Sequence, residues 1–109
     1  MSKTFLFAGA SSGIAIKTSE ILKEKGYRVI GISKNNPAEH YDECINVENY
    51  ESESLPDINE PINGIAYFPG SINLKPFNRL TKKDFINDYE INALGAVYFI
   101  QKYLYYLYR

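Results

Sequence analysis

Hydrophobic positions fall into short runs divided by turn-forming residues. Thr4 to Ala8 (TFLFA) is an unbroken apolar run that stops at Gly9, the pattern of a strand covered on both faces. Gly9 to Gly13 (GASSG) predicts a turn. From Ile14 to Lys25 the apolar positions Ile14, Thr18 (through its methyl), Ile21 and Leu22 recur at helical spacing, and Gly26 stands where a helix-ending glycine belongs. Tyr27 to Ser33 (YRVIGIS) is rich in β-branched residues and predicts a second strand, broken by Asn35-Asn36-Pro37. Cys44 to Val47 predicts a short third strand, and Ile62 to Phe68 a fourth, stopped by Pro69-Gly70. The polar, acidic stretch from Glu48 to Pro61 predicts loop, as does Ser71 to Leu80 with its Pro76. Thr81, with Asp84 three residues on, suits a helix N-cap. Phe85, Tyr89, Asn92, Ala96, Phe99 and Tyr103 then step by four and three, which predicts one stripe along a long helix. Gly95 in mid-helix costs roughly 1 kcal/mol relative to alanine, so close packing against another helix is expected there.

This alternation of strands and helices predicts an α/β fold with parallel crossovers. With 109 residues the chain makes one domain at most. Charge removes some functions. At a formal net charge of -1 no global field recruits nucleic acid or anionic lipid. The apolar stretch from Ala93 to Ile100 is interrupted by Gln101 and Lys102, too short for a membrane span. No signal-peptide layout follows Met1, and the single cysteine, Cys44, suits a reducing, cytoplasmic setting and offers no metal site. No Lys or Arg lies between Lys34 and Lys75, whereas Glu39, Asp42, Glu43, Glu48, Glu51, Glu53, Asp57 and Glu60 do. A solvated acidic surface is the expectation. Of ten tyrosines, Tyr103, Tyr105, Tyr106 and Tyr108 crowd together near the end.

The strand, glycine loop and helix at the start carry the strongest chemical signal. Gly9 serves a tight turn, and Gly13 lets backbone approach a ligand where a Cβ would intrude. The helix after the loop directs its free N–H groups and the positive end of its dipole at whatever lies above the turn. A diphosphate fits that environment, and Ser11 and Ser12 add hydroxyl donors. The loop lacks the lysine of a P-loop, which argues against a nucleoside triphosphate with magnesium.

Ala8-Gly9-Ala10-Ser11-Ser12-Gly13-Ile14-Ala15 resembles the TGxxxGIG fingerprint of the short-chain dehydrogenase/reductase family, with Ala8 in place of the threonine and Ala15 in place of the last glycine. The resemblance implies a partial Rossmann fold, a doubly wound parallel sheet in the order 3-2-1-4 with flanking helices, and residues 1–109 as a single, truncated NAD(P)-binding domain. It implies cofactor contacts from Gly9, Ser11, Ser12, Gly13 and Ile14. At the end of the second strand an acid would read the ribose of NAD, and a basic residue the 2′-phosphate of NADP. This chain has Ser33 and Lys34 there, so NADP is expected, with NAD as the other option. Asn46-Val47 stands for the family's adenine-contacting Asp-Val pair, and Tyr67-Phe68-Pro69-Gly70 for its NNAG motif, which places Pro69 and Gly70 at the cofactor. Asn92-Ala93-Leu94-Gly95 matches the family's N-x-x-G segment, whose asparagine serves a proton relay.

The family's catalytic serine, tyrosine and lysine lie beyond that helix, and this chain reaches only Arg109. Tyr98 and Lys102 share the Y-x-x-x-K spacing but sit only six residues after Asn92 on the same helix, so they are rejected as the catalytic pair. The implied activity is hydride transfer between NADP(H) and a small carbonyl or alcohol substrate in the full-length relative. The alternative is a non-catalytic dinucleotide-binding module. The fourth strand is expected as a free edge, and the helix over 81–108 as the surface of a homo-oligomer.

Overall fold

The computed structural model describes residues 3–35, 38–51, 53–70 and 74–107. The expected chain break at Asn36-Pro37, residues 71–73 of the loop before the long helix, and Tyr108 lie outside these.

Four parallel strands form one sheet: β1 (Thr4–Ala8), β2 (Arg28–Ser33), β3 (Glu43–Asn46) and β4 (Gly64–Tyr67). Their order is β3-β2-β1-β4, as the sequence predicts. The run of apolar residues in β1 explains its central place, because alternate side chains enter two different cores. Leu6 and Ala8 join Ile30, Ile32, Leu55, Ile58, Ile62, Phe99 and Tyr103 on one face. Phe7 joins Ala10, Ala15, Val29 and Tyr41 on the other.

Helix α1 (Gly13–Glu24) covers the second face. Its buried face is only in part the expected one: Leu22 packs against the second core, but the most buried positions lie elsewhere. Ala15 and Ser19 are fully buried, whereas Ile14 is 72% and Ile21 45% exposed. Small residues win because the helix lies close to the sheet: Ala15 packs beside Phe7 and Val29, and Ser19 Oγ donates to Ile16 O at 2.7 Å. The β1 turn is fixed from the same side by Tyr41, whose hydroxyl donates to Ala10 O at 2.7 Å.

The segment between β3 and β4 is irregular, as expected, yet anchored. Leu55, Ile58 and Ile62 enter the first core. The crowded tyrosines hold it there: Tyr103 hydroxyl donates to Pro56 O, and Tyr106 hydroxyl accepts from Ile58 N–H. Part of the acidic run also has partners instead of forming a purely solvated face. Glu60 takes Arg28 through two oxygens, at 2.8 and 3.3 Å, Asp57 takes Lys102 at 2.9 Å, and Asp42 accepts from Val29 N–H at 2.8 Å.

The long helical region starts as predicted, with a capping box of Thr81 and Asp84. It is not one continuous α-helix. Helix α2 (Lys82–Tyr89) passes through a π turn at Glu90–Leu94 into helix α3 (Gly95–Leu107). The extra residue of a π turn rotates the downstream helix by roughly 100° relative to the upstream one. That breaks the predicted stripe: Phe99 and Tyr103 are fully buried, whereas Phe85 and Tyr89 are more than half exposed. Asn92, expected in an apolar stripe, is not buried. No helix among the described residues is long and apolar enough to cross a membrane.

Candidate functional site

A groove opens where β1, β2 and β4 end. Central β1 continues one way to β2 and β3, while β4 lies on its other side, so the groove sits at the switch point where open α/β sheets receive ligands. Its first part, a cavity of about 270 Å³, is lined by Gly9, Ser11, Ser12, Lys34, Asn35, Tyr50, Phe68, Pro69, Gly70 and Ile91.

The turn beneath it is strictly built. Gly9 has φ +74°, and a Cβ there would lie 2.7 Å from Pro69 Cδ. Both facts demand glycine. Gly9 and Ala10 N–H both donate to Ile32 O, at 2.9 and 3.1 Å, and Ser12 N–H donates to Gly9 O at 3.1 Å. Ser12 caps α1, its Oγ accepting from Ala15 N–H at 3.1 Å. Of the amides between Gly9 and Ala15, those of Ser11, Gly13 and Ile14 are therefore left without an acceptor among the described residues. They are the orphan donors of a helix start. Gly13 differs from Gly9. A Cβ at Gly13 would meet nothing within 4 Å, so the fold itself does not require glycine there.

The other expected site residues scatter around this centre. Lys34 is exposed, with Nζ 5.9 Å above the Tyr50 ring centroid. Ser33 is buried, and its Oγ accepts from Asn35 N–H at 3.1 Å. Asn46 is exposed at the end of β3, while Val47 packs against the first core and donates its N–H to Ser33 O at 2.9 Å. Neither of the two lines the groove. Pro69 covers Gly9, and a Cβ on Gly70 would come 3.2 Å from Asn92 Oδ1. Asn92 thus stands beside the mouth of the groove.

That placement depends on Tyr67, to whose hydroxyl the sequence alone assigns no role. In a regular α-helix Gly95 N–H would donate to Ile91 O. Here it donates to Glu90 O, and the orphaned Ile91 carbonyl accepts from the Tyr67 hydroxyl at 2.7 Å. Insertion of a side-chain donor into the helical ladder is a recognised cause of such distortions. Gly95 supplies the room, since a Cβ there would fall 1.9 Å from Tyr67 Oη. The expected contact of Gly95 with another helix is instead a contact with β4. Burial, reinforced by the neighbouring Tyr50, pushes the Tyr67 phenol up to about 12. A second cavity of about 250 Å³ lies under this turn, lined by Lys34, Tyr50, Tyr67, Glu90, Ile91, Gly95 and Tyr98 among others. Tyr50 could have been found only as one of ten tyrosines, because no local spacing marks it, whereas Tyr67 stands at the head of the Tyr67-Phe68-Pro69-Gly70 segment. Lys102, the false partner of Tyr98, donates to Asp57.

No family model matches the sequence, and no curated protein matches it. Solved structures do. An aldohexose dehydrogenase from Thermoplasma acidophilum, in ligand-free form, superposes with a TM-score of 0.86 at 18% identity, over 97% of this chain and 44% of its own. The chain has the fold of the Rossmann half of a short-chain dehydrogenase. A short-chain dehydrogenase from Leptospira borgpetersenii with bound NAD+ gives 0.83 at 20% identity, over 100% of this chain and 46% of its own. A 3-ketoacyl-(acyl-carrier-protein) reductase from Brucella melitensis, complexed with NADH, gives 0.78 at 13% identity, over 95% and 50%. The chain spans about half the length of these dehydrogenases or a little less.

Proposed function

We propose that the groove binds the diphosphate of a nicotinamide dinucleotide. The observation that carries this reading is the set of amides at Ser11, Gly13 and Ile14, unpaired among the described residues and set at the end of the central strand. Helix dipole and orphan donors together favour an anion there. The Ser11 and Ser12 hydroxyls would add donors, Pro69 and Gly70 would wall the far side, and Ser33 with Lys34 would receive the adenosine ribose. Asn46 and Val47 would contact adenine from the neighbouring strand end. The short-chain dehydrogenase from Leptospira borgpetersenii and the reductase from Brucella melitensis, which share this fold, hold NAD+ and NADH, which supports the cofactor class. A preference for NADP(H) rests on Lys34 and on the absence of an acid at the end of β2.

In the whole protein the activity proposed is hydride transfer between nicotinamide and a small carbonyl or alcohol, with Asn92 in the proton relay. Self-association would use the helical region 81–108, where Val97, Ile100 and Leu104 are 45, 46 and 40% exposed. A non-catalytic binding module is the second reading.

Titration of the chain with NADPH and NADH, followed by nicotinamide fluorescence, tests the site. Binding, with NADPH tighter, is the expected result. Gly13→Val, which meets no atom of the fold at its Cβ, should abolish it while leaving the circular dichroism spectrum intact. Undiminished binding in that variant would refute the diphosphate site.

A further inference from the structure

Tyr50 has no part in the site as proposed, yet it stands in the middle of the groove. It comes from the irregular segment between β3 and β4, outside every strand and helix. Its ring meets the Tyr67 ring edge-on, with centroids 5.9 Å apart, and Lys34 Nζ lies over it at 5.9 Å. It lines the groove together with Gly9 and Lys34. Those groups mark the crevice between the carboxyl ends of β1 and β2. Tyr50 also lines both cavities, the one of about 270 Å³ over the free amides and the one of about 250 Å³ under the π turn. Each is below the roughly 300–1,000 Å³ of small-molecule sites, whereas joined they would fall within it.

We infer that Tyr50 is a specificity-determining plug: in place it limits the groove to a diphosphate-sized ligand, and its displacement admits the nucleoside arm of a dinucleotide. The inference rests on the groove being the dinucleotide site. A ligand that starts on the Ser11, Gly13 and Ile14 amides and runs along the end of β2 meets the Tyr50 side chain beside Lys34. The ring sits at the rim of the first core, edge-on to the Tyr67 ring and under Lys34 Nζ, and is only partly buried. A partly buried side chain on a segment outside every strand and helix is free to swing aside, and a competent state populated to about one tenth lowers the apparent affinity about tenfold. Lys34 is freed in the same movement, so an anionic group on the ribose gains a partner only once the ring has left.

The test uses calorimetric titration of the chain with two probes, NADPH and inorganic pyrophosphate, in wild type, Tyr50→Phe and Tyr50→Ala. Pyrophosphate needs only the amides, so its affinity should be equal in all three proteins. NADPH should bind about tenfold tighter to Tyr50→Ala, with a smaller gain in Tyr50→Phe, which keeps the ring contacts. Unchanged NADPH affinity in both variants overturns the plug. So does weaker binding, which would make the ring a stacking platform. Pyrophosphate binding without NADPH binding in any protein overturns it too, because removing the ring then admits nothing. Failure of both probes in all three proteins sinks the underlying site as well.

Discussion

Replacing Gly95 with alanine should reverse its effect according to what stands at position 67. In an open helix interior Gly→Ala is worth roughly 1 kcal/mol of added stability. At Gly95 the new methyl would lie 1.9 Å from Tyr67 Oη and 2.9 Å from Cζ. The ring must then leave, and the Ile91 carbonyl loses its donor. An unsatisfied buried acceptor costs about 1–3 kcal/mol, and overpacking about 1–3 kcal/mol more. Against the propensity gain, the net destabilisation of Gly95→Ala should be about 1–5 kcal/mol. Tyr67→Leu removes the obstruction and the hydroxyl together, so Gly95 N–H can return to Ile91 O and close a regular α turn. On that background Gly95→Ala should stabilise by roughly 1 kcal/mol. Urea unfolding of the four proteins of this cycle, followed by far-ultraviolet circular dichroism, gives the coupling directly. An equal cost of Gly95→Ala on both backgrounds, or a gain in the Tyr67 protein, would show that the hydroxyl does not hold the π turn.

Three further outcomes are expected. Gly9→Ala combines a positive φ with a 2.7 Å approach to Pro69, and should lower stability by about 2–4 kcal/mol in the same assay; a loss below about 0.5 kcal/mol would contradict the geometry. Burial raises the phenols of Tyr41 and Tyr67 from 10.0 to about 12. Their protons are bound more tightly in the folded chain than in the unfolded one, so stability is level below pH 10 and falls as pH rises from 10 towards 12. Tyrosinate absorbance should show a class of tyrosines that ionises only as the chain unfolds, and a single titration near the ordinary phenol value would refute their burial. Ile100→Asp with Leu104→Asp, on the exposed side of α3, should convert any oligomer to monomer in analytical ultracentrifugation without loss of helix content; an unchanged sedimentation coefficient for an oligomeric wild type would place the interface elsewhere.

The sheet was legible because its signals are local and mutually consistent. Apolar runs ended by Gly9 and by Pro69-Gly70, with a helix between the first two strands, admit few topologies. The helix start at Thr81 was equally readable, since its cap needs only two side chains three residues apart. Phase was not legible. Periodicity assumes an uninterrupted helix, and one inserted residue at Glu90–Leu94 moved Phe85 and Tyr89 out of line with Phe99 and Tyr103. The cause lies in Tyr67, distant in sequence, whose hydroxyl reaches Ile91 O. For α1 the larger apolar residues were preferred over Ala15 and Ser19, because hydropathy ranks size while a close helix and sheet select against it. At the site, the glycine loop announced itself through residue type, whereas Tyr50 sits there through the course of an irregular segment that no pattern encodes.

Every ladder in the sheet is parallel, and the partners are far apart along the chain: Thr4 aligns with Arg28, and Phe5 with Gly64. No hairpin is available as a quick first step. Both flanks of β1 must wait for remote segments, which makes closure of this topology slow by the usual relation between contact order and rate. During synthesis the first strand leaves the ribosome well before β4 exists, with its hydrogen-bonding edge and apolar side chains bare. A central strand of this kind stays without either neighbour until residues far along the chain can pair with it, and meanwhile offers both edges to other chains.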